Sequence, residues 1–152
     1  CARALAEAGF TGPRGGTWHL MDRAFLAEAG AAAEDWLFSS PYSDPGAAKD
    51  FAAAYRARYA TPPPRWSPEA YDAVGLVART LAELGATGTT EPGAVSRRIF
   101  RVAHQGVAKP IRFQQDGTHL LVGGPALFLY RVRGQAFRFL GPYQEATQKS
   151  VR

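Results

Sequence analysis

Apolar residues recur along this chain with two periods, and the change of period organises it. In residues 1–8, Leu5 and Ala8 fall on one side of a helical projection, with Arg3 and Glu7 on the other. Gly9 follows, a residue suited to the left-handed position just past a helix. A Gly/Pro-rich approach leads to Gly16–Leu20, which reads as a short strand. Asp22 offers a carboxylate to the free N–H groups of a helix start. Phe25, Leu26 and Ala29 give that helix, running to about Ala33, an apolar face. Trp36-Leu37-Phe38 is too short for a helix and fits a buried strand. Pro41 to Pro45 then marks a connection.

The middle of the chain is helical in period. Asp44 with Pro45 predicts a capped start, because proline at the first helical position loses no useful N–H. Ala47, Phe51, Tyr55 and Tyr59 recur every fourth residue. Thr61-Pro62-Pro63-Pro64 breaks the pattern and favours an extended spacer. Ser67-Pro68-Glu69 predicts the next start: hydroxyl cap, proline, and a carboxylate facing the positive end of the helix dipole. Ala70, Val74, Val77, Leu81 and Leu84 form the expected buried stripe, Gly85 the stop, and residues 85–90 a polar loop. Residues 91 to about 103 read as a further helix with Val95, Ile99 and Val102 inward.

From Pro110 the period becomes two. Pro110–Phe113 alternates, Asp116-Gly117 signals a turn, and Phe128, Tyr130 and Val132 oppose Leu129 and Arg131. Gly134 permits a tight turn into a partner strand over Ala136–Leu140, and the polar tail from Tyr143 reads as frayed. Early β/α alternation predicts a parallel sheet covered by helices. Three amphipathic helices over residues 45–103 have few strands to cover. That imbalance predicts a portion of a larger fold.

The chain has 152 residues, 46% hydrophobic and 20% charged, so a packed core is expected and disorder is not. The formal charge of +5 raises the alternative of a basic nucleic-acid-binding module. Only Lys49, Lys109 and Lys149 are lysines, and the arginines are spread through several elements. No nucleic-acid partner is therefore expected. One cysteine excludes an internal disulfide. An Ala-rich helical pattern follows Cys1 directly, without the polar tether of a lipid-anchored terminus. The start lacks the basic and apolar regions of a signal peptide. The chain accordingly reads as an excerpt of a longer precursor.

Catalytic sets are missing from the sequence, and an enzyme is not expected. His19, His104 and His119 have no metal-ligand spacing, so neither metal nor cofactor is expected. No nucleophile elbow, Walker loop or dinucleotide fingerprint occurs. What remains is the polar-aromatic cluster Thr17-Trp18-His19, with Asp22 beyond it, where a strand gives way to a helix. Ligands of open α/β sheets bind at such strand ends. Trp18 offers a flat apolar wall and His19 a donor or acceptor, with Asp22 beside them. The alternative is that Trp18 packs under the helix and Asp22 only caps. Tyr42, between strand and helix, is a second ligand-binding candidate.

Several segments carry a family resemblance: Ala8-Gly9-Phe10; Ala29–Glu34 before Trp36-Leu37-Phe38; and Phe51-Ala52-Ala53-Ala54-Tyr55-Arg56-Ala57-Arg58-Tyr59. Ser67-Pro68-Glu69-Ala70-Tyr71-Asp72-Ala73-Val74 and Pro110–Gly117 complete the set. In this order and spacing they resemble the C-terminal portion of type I periplasmic solute-binding proteins, the class serving branched-chain amino acid ABC transporters.

The resemblance implies a portion of a two-lobed α/β fold, with three-layer α/β/α lobes and a C-terminal β-hairpin. It implies that residues 1–41 belong to the second lobe and 42–118 to the helical part of the first. Residues 119–152 would return strands to the second lobe, and Pro41–Pro45 would be a hinge crossing. A small solute would bind between the lobes, outside the cytoplasm, in a cell-surface-anchored or secreted protein. The protein would serve a membrane permease or, alternatively, be the sensing domain of a fused membrane receptor or Ser/Thr kinase. The exposed stripes of residues 45–103 leave homodimerisation open. Amino-acid-binding members place an acidic residue in the loop matching Trp18, where it meets the ligand ammonium. Here Trp18 and His19 stand instead. An unpaired ammonium in a closed cleft is costly, so a stacking or less cationic solute is expected.

Overall fold

The computed structural model describes residues 1–88, 91, 93–122, 124–125 and 127–149. These divide into two units, Cys1–Pro41 with the described residues from Pro125 onward, and Tyr42–Gly124.

The first unit opens with α1 (Ala2–Glu7), then β1 (Gly15–Thr17), α2 (Arg23–Ala29) and β2 (Leu37–Ser40). The strand expected over Gly16–Leu20 ends at Thr17. There the chain turns into a 3₁₀ segment, with the Met21 N–H donating to the Trp18 carbonyl at 3.0 Å. The helix expected to reach Ala33 stops at Ala29. Gly30 adopts φ 56°, ψ −133°, which no α-helix can continue through, and a 3₁₀ turn follows.

Late in the sequence come β5 (Phe128–Arg133) and β6 (Ala136–Pro142), numbered after β3 (His104–Gln105) and β4 (Pro110–Ile111) of the second unit. They form the expected hairpin, closed at Gly134 and Gln135. Both central residues have positive φ (55° and 58°), the geometry that matches strand twist. The sheet order is β1-β2-β5-β6. The β1/β2 pair is parallel and the other two pairs antiparallel, so the sheet is mixed.

Register decides which side chains are buried. Phe38 pairs with Tyr130, Tyr130 with Phe139, and Val132 with Phe137, which puts all five on one face. Ala2, Leu5, Phe25, Leu26, Ala29 and Ala33 pack onto it from the helical segments, with Met21 and Trp36. Phe25 meets Trp36 and Phe38, and Phe38 meets Phe137, each at 5.3 Å between centroids in edge-on geometry. Fully burying one such ring contributes about 1.5–3 kcal/mol.

The opposite face carries Leu37, Arg131 and Arg138. Arg131 and Arg138 are directly opposed across β5/β6, and Arg131 Nε is buried without a hydrogen-bond partner. Among the described residues, the sheet and the helical segments packed on its first face make two of the expected layers. The tail beyond β6 is α6 (Tyr143–Lys149) instead of a frayed end. Its first N–H donates to the Leu127 carbonyl at 2.9 Å, which ties the helix to the sheet.

The second unit contains α3 (Lys49–Tyr59), α4 (Ser67–Ala86), α5 (Ala94–Ile99) and the short antiparallel pair β3 (His104–Gln105) and β4 (Pro110–Ile111). Thr89 and Thr90 of the expected loop, Pro92 of the expected helix over 91–103, and residues 150–152 of the tail lie outside the described residues. Residues 119–122 stay with this unit. The Gln114 N–H donates to Leu120 and the Val122 N–H to Arg112, at 2.7 and 2.8 Å.

Two helix starts differ from expectation. Asp44 does not cap α3: its Oδ1 accepts the Gly46 N–H at 2.6 Å in a local turn, and the helix begins five residues later, at Lys49. Ser67 does not act as a cap acceptor: its hydroxyl donates to the Pro64 carbonyl at 2.7 Å.

The larger correction concerns α4. Its buried row is Pro68, Asp72, Leu76 and Thr80. Val74, Val77 and Leu81, expected inside, are 70%, 39% and 52% exposed. A step of about 100° per residue puts the two rows nearly opposite one another. The periodicity was right, but the described residues of this unit fill the polar-marked side.

Candidate functional site

Trp18, His19 and Asp22 stand together where β1 hands over to α2. The 3₁₀ turn over Trp18–Leu20 stacks the His19 imidazole on the Trp18 indole, with centroids 3.8 Å apart and planes 28° from parallel. Thr17 Oγ1 and His19 Nδ1 lie 3.3 Å apart, which fixes the ring's orientation without fixing its tautomer. His19 is exposed. Trp18 is half-buried, with one side packed against the core. The pair forms a two-ring plate at the end of β1, with Trp18 packed against the core and His19 exposed.

Asp22 performs the local task that its position predicts. Its Oδ1 accepts the Phe25 N–H at 2.7 Å, capping α2. Tyr42 belongs to the second unit. It is half-buried, and its ring lies 5.2 Å from that of Trp66, tilted by 36°.

The partners of three polar side chains in the second unit, Asp72, Glu69 and Lys109, escaped the sequence reading. Asp72 is buried inside α4. Its carboxylate accepts the Val107 and Ala108 N–H groups at 2.7 and 2.9 Å. Gly106 makes room for it: a Cβ there would come within 2.1 Å of Asp72 Oδ2.

Glu69 Oε1 accepts both the N–H and the hydroxyl of buried Ser43, at 2.7 and 3.0 Å, just after the Pro41–Pro45 connection begins. Lys109, half-buried near both carboxylates, has its pKa lowered. Burial is the main cause, and Glu69 and Asp72 oppose it. The available signal was an acid between apolar positions of α4, and its partners lie 35 and 36 residues away.

Among the described residues, no group of three His, Cys, Asp or Glu could hold an ion. No helix among them is long and apolar enough to cross a membrane.

No protein-family model matches the sequence, and a search of curated proteins finds no match. Solved structures do match. The leucine-binding protein LivK of Thermotoga maritima MSB8 aligns with a TM-score of 0.69 and 19% identity, over 91% of this chain and 39% of that one. A type 1 periplasmic binding protein from Bordetella pertussis Tohama I aligns at 0.63 with 20% identity, over 92% and 42%. An ABC-transporter solute-binding protein from R. palustris, solved with benzoate, aligns at 0.58 with 18% identity, over 92% and 38%. The chain thus has the α/β fold of part of a type I periplasmic binding protein, spanning about 40% of the length of these structures.

Proposed function

We propose that this chain is part of a protein that captures a small solute between two lobes, as the substrate-binding component of an ABC-type importer working outside the cytoplasm. The observation that carries this reading is the structural likeness to solute-binding proteins over 91% and 92% of the chain, which takes in both units. Residues 1–41 and those from Pro125 onward would belong to one lobe and 42–124 to the other, with Pro41–Pro45 as a hinge crossing. The uncovered Val74, Val77 and Leu81 strip of α4 would seat the sheet of the lobe to which α4 belongs.

Trp18, His19, Asp22 and Tyr42 would face the solute. The role is capture without covalent chemistry. The stacked Trp18/His19 pair favours a planar solute, and the one carboxylate beside it, Asp22, already accepts the Phe25 N–H, which leaves an ammonium less well compensated than an uncharged or anionic group. One neighbour in fold carries leucine-binding in its name and another was solved with benzoate, so this architecture accommodates both kinds of ligand.

The test uses the longer, two-lobed protein and a panel of aromatic carboxylates, aliphatic acids and amino acids, read by thermal shift. A ligand at a hundred times its Kd stabilises by about 2.7 kcal/mol. An upward shift with an aromatic carboxylate, lost in Trp18→Ala, is expected. The absence of any shift across the panel contradicts capture. A shift with leucine alone that survives Trp18→Ala contradicts the assigned residues.

A further inference from the structure

We infer that a groove between α3 and α4, inside the second unit, is a separate binding site for a planar aromatic anion. The groove has a volume of about 440 Å³, within the range of small-molecule sites. Phe51, Tyr55 and Tyr59 of α3 form one wall, Tyr71 of α4 the other, and Arg58 stands at the rim.

The rings are tilted against one another and leave faces free for a guest. Phe51 and Tyr55 centroids are 6.0 Å apart at 45°, Tyr55 and Tyr59 4.6 Å at 46°, and Phe51 and Tyr71 5.5 Å at 58°. Tyr59 and Tyr71 are 56% and 60% exposed, so water now covers ring surface that a stacked guest would cover better.

Charge selects the guest. The Arg58 guanidinium carbon lies 5.8 Å from the Tyr59 centroid, and no carboxylate among the described residues pairs with it. No acidic residue lines the groove. Its polar side chains are phenol hydroxyls, the Ser67 hydroxyl, which donates to the Pro64 carbonyl, and a planar guanidinium, a set that suits a carboxylate on an aromatic ring.

Tyr71 sits about a quarter turn of α4 away from the middle of the Ala70–Val74–Val77–Leu81 strip. On α4 the groove wall is therefore offset from the strip assigned above to a covering sheet. The Trp18/His19 plate lies on the other unit, so the two sites can be removed independently.

The experiment titrates the 152-residue chain with 2-naphthoate, followed by the probe's own fluorescence. Cyclohexanecarboxylate and 2-naphthylmethylammonium serve as competitors that lack, respectively, the ring and the negative charge. Naphthoate should bind, and both competitors should be at least tenfold weaker. Arg58→Gln and Tyr55→Ala should each weaken naphthoate at least tenfold, and Trp18→Ala should leave it unchanged. Arg58 is on the surface, so its variant keeps the fold, and an unaltered melting curve verifies that.

No binding, equal binding of all three probes, or full affinity in Arg58→Gln overturns the groove. Loss of binding in Trp18→Ala alone also overturns it while leaving solute capture at the plate intact. Naphthoate binding lost only in the groove variants supports the groove and says nothing against capture by the longer protein.

Discussion

The two units cover their apolar surface by different means. In the first, Trp36, Phe38, Phe128, Tyr130 and Val132 are buried on one face of a sheet, and Ser40 is the one polar residue among its described buried side chains. In the second, the buried apolar residues are smaller, Ala52, Leu76, Ala94 and Val102, and Ser43, Asp72 and Thr80 are buried among them. A sheet offers a continuous surface that large rings can share. Three helices with a two-residue ladder do not, and charged hydrogen bonds take over the task of fixing a loop to a helix. The apolar strip of α4 is left outside. The contrast teaches that helical periodicity shows which rows are apolar, whereas the partner layer decides which row is buried.

The contrast can be broken most forcefully in the first unit. Phe38→Ala removes a fully buried ring at the centre of the aromatic cluster and should cost about 3–5 kcal/mol. Hydrogen exchange at β2 and β5 amides should accelerate accordingly, while the Val107 and Ala108 amides keep their protection. Equal acceleration in both units would mean that they share one cooperative core.

In the second unit the vulnerable group is polar. Asp72→Ala strands two N–H donors and should cost about 2–3 kcal/mol, read in the same exchange experiment at Val107 and Ala108. A neutral result would show that the clasp does not hold the loop.

A smaller effect is expected on the open face of the first unit. Arg138 faces Arg131 across the hairpin, so Arg138→Glu should raise stability by about 0.2–1 kcal/mol in urea denaturation. A loss would indicate that the arginines already share an anion.

The smallest effect is confined to one turn. Hydrogen bonds from the Thr118 hydroxyl and N–H hold the Asp116 pKa below its ordinary value. The contribution of those bonds is present above the unfolded pKa and fades as pH falls through the lowered one. Thr118→Ala should move the Asp116 midpoint upward in an NMR titration, and an unmoved midpoint rejects the assignment.

Legibility in the sequence followed the range of the interactions. The Asp22 cap and the Gly134 hairpin turn were readable because every partner lies within three residues. The 3₁₀ turn after Thr17 was not, since Trp18, His19 and Leu20 alternate as a strand would. Asp44 looked like a cap and is a local turn, because a carboxylate two residues from an N–H competes with one at a helix start. Asp72 depends on Gly106–Ala108, and α4 packs against α5 and β3, none of which a local pattern brings near. Of the candidate site, the position of Trp18, His19 and Asp22 at a strand end was readable, but the stacking of the two rings was not.

Exposure of the apolar strip of α4 is measured most directly by thiol labelling. In a Cys1→Ser background, single cysteines at Val74, Leu81 and Leu76 would be reacted with maleimide in the folded 152-residue chain. Positions 74 and 81 should label at nearly the rate of an unfolded control, with position 76 protected at least tenfold. Protection at 74 and 81 equal to that at 76 would show the strip already covered within this chain, and would contradict the reading of the second unit as helices awaiting a sheet.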